Sequence, residues 1–201
     1  MQFRNHTLPN GLEIVAEAPI DRVPDAAAAI RAARDAGVQV PRLTVHQAAA
    51  GGDLRFVTLA RDIQSSVGGV RAFAPLPRVS SVAQPSTGCD DVKQVAVARL
   101  LADNIESIQV DWQLYGPKLA QVALTMGADD VDAVSPEDET GEGRRRAPLE
   151  EIRRNIRAAS QEPVERNGRF EILDGPSEGP PEAGPHVQED SPHVQERQPR
   201  G

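Results

Sequence analysis

The strongest constraint on the fold is a regular alternation of short apolar strands with longer amphipathic helices, which begins near residue 24. Four segments read as strands: PRLTVH (41–46), VRAFAPLP (70–77), SIQVDW (107–112) and DDVDAV (129–134). Helical patterns fill the intervals, and strands that alternate with helices of this length indicate βαβ units and a parallel sheet. We predict an α/β fold with about four βα units, a partial barrel with half of the eight strands that close a (β/α) TIM-type barrel.

Capping and stop signals bound the predicted helices. The signals are Pro24 and Gly37 for the first helix, Gly68 for the end of the second, Asp90 and Asp103 for the third, and Pro117 and Gly127 for the fourth. The third helix is predicted to have Asp90 as its N-cap. Its buried face is predicted to consist of Val92, Val95, Ala96 and Leu100.

Three domains are predicted along the chain. Residues 1–18 indicate a β-hairpin, because Asn10-Gly11 is a strong turn signal followed by an alternating segment. Residues 19–173 form the half barrel, which includes a charged loop at 135–146 and a helix in LEEIRRNIRAAS. Residues 174–201 are rich in Pro, Gly and Glu and repeat PHVQE twice, which predicts a disordered acidic tail.

Composition narrows the function classes. The formal charge of −8 argues against a nucleic-acid or anionic-membrane partner. We find no apolar run of membrane-spanning length and no secretory signal at the start, so a cytoplasmic protein is expected. Only 3% of the residues are aromatic, so the core must consist mainly of aliphatic side chains.

Four stretches carry a family resemblance. IQSSVGGVRAFAPLP, TGCDDVKQVAVARLLADN, IQVDWQLYGPKLAQVALTMGADDVDAV and IRAASQEPVERNGRF occur in the order and spacing of "LQ-ETGGF-AFIPLPF", "TG-DDLKTIAVARLMLDN", "IKAYW---GPKLAQVALHFGADDIDGT" and "IREAGR-PVERDTLY". The chain thus resembles the C-terminal half of the radical SAM aminofutalosine synthase family, which acts in the futalosine route to menaquinone. Residues 1–18 resemble instead the start of insulinase-type zinc peptidases, although the HxxEH metal motif of those enzymes is absent.

The resemblance implies a four-iron four-sulfur cluster and S-adenosylmethionine as cofactors. Such a cluster needs three thiolates, usually from CxxxCxxC, and this chain has one cysteine, Cys89. We therefore expect a truncated or divergent aminofutalosine synthase homologue without cofactor of its own and inactive alone. The alternatives are a non-catalytic assembly subunit that completes a barrel with a separate cluster-bearing half, and a fused or broken reading frame.

The departures from the family lie mostly where barrel enzymes keep their active sites, at the C-terminal ends of strands. The family's "YGHxE" reads VHQAAA here, with His46 near the family histidine and Ala50 in place of the acid. No catalytic residue and no metal ligand is therefore assigned. The resemblance implies substrate contacts for Trp112, Gln113 and Lys118.

Two further expectations follow from the strand patterns. Asp129, Asp130 and Asp132 are divided between the two faces of a strand by its alternation, which disfavours a three-carboxylate metal site. A half barrel is also expected to expose an apolar inner face, with Leu76, Val110 and Val131 on the strands that line it. Such a face predicts self-association or pairing with a complementary half barrel.

Overall fold

The computed structural model describes residues 15–47, 54–79, 87–132 and 148–173. Within these residues, five strands alternate with five helices. The strands are β1 Val15–Pro19, β2 Gln39–Val45, β3 Ala72–Pro77, β4 Ser107–Asp111 and β5 Asp130–Asp132. The helices are α1 Ala26–Asp35, α2 Leu54–Val67, α3 Gly88–Leu101, α4 Trp112–Thr125 and α5 Pro148–Ala158.

The five strands form one sheet in the order β1-β2-β3-β4-β5, and every neighbouring pair is parallel. A parallel sheet in consecutive order, with a helix after each strand, is the arrangement of a (β/α) barrel. The predicted α/β fold and partial barrel are confirmed. The described residues contain five such units, one more than the four predicted.

The additional strand is β1, and it changes the picture of the N-terminal segment. β1 pairs in parallel with β2, from Val15 opposite Gln39 to Pro19 opposite Thr44. The predicted boundary between residues 18 and 19 therefore falls inside a strand of the sheet. Most of the hairpin predicted for residues 1–18, and the whole tail predicted for 174–201, lie outside the described residues.

Helix α3 begins one turn earlier than predicted and buries a partly different face. Thr87 is the N-cap, and Asp90 completes a capping box by bonding back to Thr87. The buried residues of α3 are Asp91, Gln94, Val95 and Ala98. Of the predicted face, Val95 is buried, Val92 and Ala96 are half-buried, and Leu100 is 76% exposed, so the prediction was wrong for Leu100. Apolar residues occur around the whole circumference of this helix, and its packing against the sheet, α2 and α4 selects the inward face.

Helix α4 consists of two parts. Asp111 caps it by accepting a hydrogen bond from the backbone N–H of Leu114 at 2.9 Å, so Trp112 opens the helix and does not end the strand. Gly116 has φ +77°, a conformation that glycine adopts without steric cost, and Pro117 follows it. The turn Trp112–Tyr115 is thereby set off by a kink from the helix that Pro117 begins, as the sequence predicted.

The hydrophobic core lies between the sheet and the helices. Leu43, Phe73 and Ile108 stand side by side on neighbouring strands, and each is fully buried. From the helices, Ile30, Val57, Ile63 and Val95 are also almost completely buried. No helix in the described part of the chain has the length and apolar character needed to cross a membrane.

Candidate functional site on the inner face of the sheet

The face of the sheet that turns away from the core is polar. Because strand residues alternate, the neighbours of Leu43 and Ile108 point to the opposite face, which we call the inner face. The inner face has Gln109 opposite Asp130 and Asp111 opposite Asp132. The polar residues on it include Glu17, Arg42, Thr44, Gln109, Asp111, Asp130 and Asp132.

The expected apolar inner face is therefore wrong. Val110 and Val131 are opposite one another in the register, and alternation places both on the helix side. Val110 is only 1% exposed, as a core residue should be. Leu76 is buried too, and it lies where the pairing of β2 with β3 shifts, so the register does not assign it to either face. The register explains the error, because it is the odd-numbered residues of β4 and the even-numbered residues of β5 that face inward.

Arg42, in the middle of β2, is the centre of a group of charged residues on the inner face. Its guanidinium forms ion pairs with Glu17 on β1 and with Asp132 on β5. It also lies 3.3 Å from the side-chain oxygen of Gln109. The Arg42 side chain is 12% exposed, and that of Glu17 is 16% exposed. Charges so far removed from water interact more strongly than ordinary surface pairs.

Arg78, just after β3, extends this group. Its Nη1 donates to Asp111 at 2.7 Å, and its Nη2 lies 3.3 Å from Asp132 and 3.7 Å from Glu17. Its Nε is buried without an acceptor among the described residues. We call Glu17, Arg42, Arg78, Asp111 and Asp132 the upper ion cluster. Its two arginines and three carboxylates leave one excess negative charge.

A second group, the lower ion cluster, lies nearer the N-terminal ends of β4 and β5. Asp130 is 8% exposed and receives Arg166 in a two-pronged contact, with Nη2 at 2.7 Å from Oδ1 and Nε on Oδ2. Gln109 donates to Asp130 at 3.0 Å. Arg166 also lies over the ring of Phe170, 4.0 Å from its centre. The segment after α5 thus supplies a cation to the inner face.

Tyr115 fixes the first turn of α4 against the end of β3. Its hydroxyl donates to the backbone oxygen of Pro77 at 2.7 Å. Burial raises the pKa of Tyr115 well above its ordinary value, and the nearby carboxylates of Asp91 and Asp111 raise the pKa further. Tyr115 is therefore protonated at neutral pH, and its hydroxyl donates to Pro77, which directly precedes Arg78 in the chain.

The predicted substrate-contact residues all lie on α4. Trp112 is half-buried and follows Asp111 of the upper ion cluster directly, whereas Gln113 and Lys118 are exposed. Their contact with a substrate stays a prediction. His46 donates its backbone N–H to Asp21 at 2.8 Å, and Ala50 lies outside the described residues.

The three aspartates around β5 are separated as the strand pattern predicted. Asp129 accepts a hydrogen bond from the N–H of Ile108 at 2.9 Å and pairs with Arg99 at 2.5 Å. Asp130 and Asp132 point to the inner face, where each pairs with an arginine. These carboxylates therefore hold arginines and neighbouring strands together, which is a different task from holding a metal ion.

Sequence reasoning missed most of the site. Glu17, Arg42, Arg78, Tyr115 and Arg166 were not singled out. One signal was present, because Arg42 and Gln109 interrupt strands that are otherwise apolar, at positions that alternation assigns to a single face. Arg166 carried no such signal, since its partner Asp130 lies 36 residues earlier in the chain.

Consecutive parallel βα units, with charged side chains gathered at one face of the sheet, define part of a (β/α)-barrel enzyme scaffold. The family described as CofH/MqnC C-terminal region matches residues 70–179. This match covers more than half of the chain, and the chain belongs to that family, whose members are radical SAM enzymes.

Curated relatives carry two different names. The aminodeoxyfutalosine synthase of Streptomyces coelicolor is 35% identical in an alignment of 135 residues that covers 56% of this chain and 35% of that protein. The aminodeoxyfutalosine synthase of Thermus thermophilus is 34% identical in an alignment of 127 residues that covers 55% of this chain and 33% of that protein. The 5-amino-6-(D-ribitylamino)uracil–L-tyrosine 4-hydroxyphenyl transferase of Archaeoglobus fulgidus is 34% identical in an alignment of 134 residues that covers 60% of this chain and 39% of that protein. The chain thus spans between 33% and 39% of the length of these relatives.

The residues present do not fit the iron–sulfur cluster of the family. Cys89 is the single cysteine, and it is exposed in the first turn of α3. The described residues contain no group of three or more His, Cys, Asp or Glu side chains placed to hold a metal ion. A cluster with three protein thiolates would need cysteines from another polypeptide segment.

Proposed function

We propose that this chain supplies the substrate-facing part of a radical SAM barrel related to the aminodeoxyfutalosine synthases, and that it is not catalytic without a cluster-bearing part. The upper ion cluster is the observation that carries the proposal. Three of its five members, Arg78, Asp111 and Asp132, lie at or just after the C-terminal ends of parallel strands, where barrel enzymes bind their substrates. In this proposal the protein acts in the cytoplasm, in menaquinone biosynthesis.

The surroundings of the upper ion cluster support a binding role. Asp111 both caps α4 and accepts from Arg78, so the position of the first turn of α4 depends on the cluster. That turn contains Trp112, which is half-buried against the hydrophobic core, and Tyr115 anchors the turn to β3. A turn fixed in this way can hold polar groups in place for a substrate.

A second candidate function is a non-catalytic assembly subunit. Both terminal nitrogens of Arg42 and of Arg78 already contact carboxylates within the chain. A substrate would have to displace one of these internal partners, at the cost of leaving a charge poorly paired. In this candidate function the chain completes a barrel with a complementary half or with a second copy of itself, and the charges serve the fold alone.

Complementation of a split enzyme tests the proposal. The N-terminal part of the Thermus thermophilus aminodeoxyfutalosine synthase, up to the start of its match with this chain, is co-expressed with all 201 residues. We expect the two polypeptides to copurify and, after anaerobic reconstitution, to turn over S-adenosylmethionine with substrate. The chain alone is expected to bind well below one four-iron cluster per molecule.

Matched variants separate the two candidate functions. Arg78→Met removes a cation from the upper ion cluster, and Arg71→Met removes one from an exposed pair with Glu106. If the chain faces substrate, Arg78→Met lowers turnover at least about tenfold with copurification intact, and Arg71→Met changes neither. Copurification without turnover in the unaltered pair favours the assembly subunit, and a lack of copurification contradicts both.

A further inference from the structure

One contact of the upper ion cluster reaches across the concave side of the sheet. Arg42 is on β2 and Asp132 is on β5, with β3 and β4 between them. Neighbouring strands are about 4.8 Å apart, so three spacings on a flat sheet would separate these residues by about 14 Å. Side chains stand roughly perpendicular to a sheet. The two charges can therefore meet only if the sheet curves strongly around them.

We infer that the Arg42–Asp132 ion pair is a crosspiece that holds β5 toward β2 and so maintains the barrel curvature of these five strands. An ordinary barrel keeps its curvature by closing its hydrogen-bonded ladder on itself. Here the crosspiece acts as a tie between strands that do not touch. Arg42 is accordingly a positioning residue, which acts through β5 on the site.

The position of β5 makes such a tie consequential. β5 lies at the end of the described ladder, where β4 is its one described neighbour. A strand that is hydrogen-bonded on one side opens more easily than a strand that is hydrogen-bonded on both. Arg42 adds a contact from β2, which pairs with both β1 and β3.

Burial supports the assignment of a structural effect to this pair. The side chains of Arg42 and Asp132 are 12% and 22% exposed, whereas those of the surface pair Arg71 and Glu106 are 47% and 60% exposed. Exposed pairs contribute little because water screens them. Removal of Arg42 takes away one of the cations near the largely buried Asp132, which also lies 3.3 Å from Arg78, and such a loss costs more than the loss of an exposed partner.

Hydrogen–deuterium exchange of the intact chain tests the crosspiece. Arg42→Met and Asp132→Asn are each expected to accelerate exchange in a peptide that covers β5, roughly 5- to 30-fold, while β3 amides stay unchanged. Glu17→Gln is the matched control, because it weakens the contact of Arg42 with the adjacent β1 and leaves Asp132 in place. It should affect β1 and leave β5 unchanged.

Two results would overturn the inference. One is unchanged β5 exchange in Arg42→Met, and the other is equal acceleration in Glu17→Gln and Arg42→Met. If Arg42→Met fails to fold, Arg42→Gln takes its place, since glutamine keeps hydrogen-bonding capacity at the position but carries no charge. The measurement requires neither substrate nor partner, so its outcome is independent of the proposed function.

Discussion

Arg42 and Leu43 are neighbours on β2, but their side chains lie on opposite faces of the sheet, one in a charged environment and the other in an apolar one. Leu43 is fully buried among aliphatic side chains from the helices, while Arg42 pairs with carboxylates from two other strands. On the helix side of the sheet, the fold is stabilised by the removal of apolar area from water. On the inner face, the cost of removing charges from water offsets much of their attraction, so the ion pairs add little net stability. They can form only when the strands are in one arrangement.

The largest expected effect is on the helix side. Phe73→Ala removes a ring that is 0% exposed at the centre of the sheet, and we expect a loss of about 3–5 kcal/mol in the free energy of unfolding. Urea unfolding followed by circular dichroism measures it. Leu100→Ala is the control, since that side chain is 76% exposed and should cost less than about 0.5 kcal/mol. Similar losses in both variants would contradict the core described here.

The second-largest loss in the free energy of unfolding is expected at the lower ion cluster. Asp130→Ala leaves Arg166 and Gln109 without their shared acceptor, and we expect a loss of roughly 1–3 kcal/mol. The loss stays below that for a fully buried pair because the Arg166 side chain is 24% exposed. Arg166→Met combined with Asp130→Ala should cost less than the sum of the two single changes. Strict additivity would mean that the two side chains do not interact.

Tyr115 connects α4 to the end of β3, and its contribution to the free energy of unfolding depends on pH. Its folded pKa is raised, so its contribution to stability is complete below the ordinary value of 10.0 and is lost as pH rises toward the folded pKa. Tyr115→Phe should cost about 1 kcal/mol at neutral pH through the lost hydrogen bond. The wild type should then lose this advantage progressively as the pH rises beyond 10.0.

Tyr115 is the only tyrosine, so the ultraviolet absorbance of its phenolate can be followed without interference from another tyrosine. In the folded protein, ionisation should begin above the pH at which it occurs in urea. Coincident titration curves in the two states would show that the hydroxyl is not held as described.

The smallest effect is expected outside both faces. Arg71→Met removes the exposed pair with Glu106, which is worth about 0.2–1 kcal/mol at low salt and less at high salt. Differential scanning calorimetry at two salt concentrations measures the shift in Tm. If Arg71→Met lowered the Tm more than Asp130→Ala does, surface charges would matter more to stability than inner-face charges, which would contradict the comparison.

Local patterns were sufficient to predict most of the fold. The strands at 41–46, 70–77 and 107–112 are present within one or two residues, and the described part of 129–134 contains β5, because alternation and stop signals are properties of adjacent residues. β1 was assigned to a hairpin, since the turn signal at Asn10-Gly11 outweighed a five-residue strand. The buried face of α3 was predicted only in part, because apolar residues occur around the whole circumference of this helix.

The candidate site depended on information that no local pattern contains. Arg42 meets Asp132, which lies 90 residues later in the chain, and this pairing exists only when the sheet has curved. Alternation did predict that Asp129 separates from its neighbours, because that depends on parity alone. Long-range charge pairing therefore needs the structure, whereas parity alone predicts which residues of a strand share a face.

The consecutive strand order has a genetic consequence. In a sheet whose order follows the chain, a single break between two βα units divides the structure into two contiguous blocks, each with its own strands side by side. A sheet with crossed strand order would be divided into interleaved pieces. Gene fission, fusion and duplication can therefore transfer a set of consecutive βα units from one open reading frame to another while the strands within that set stay paired.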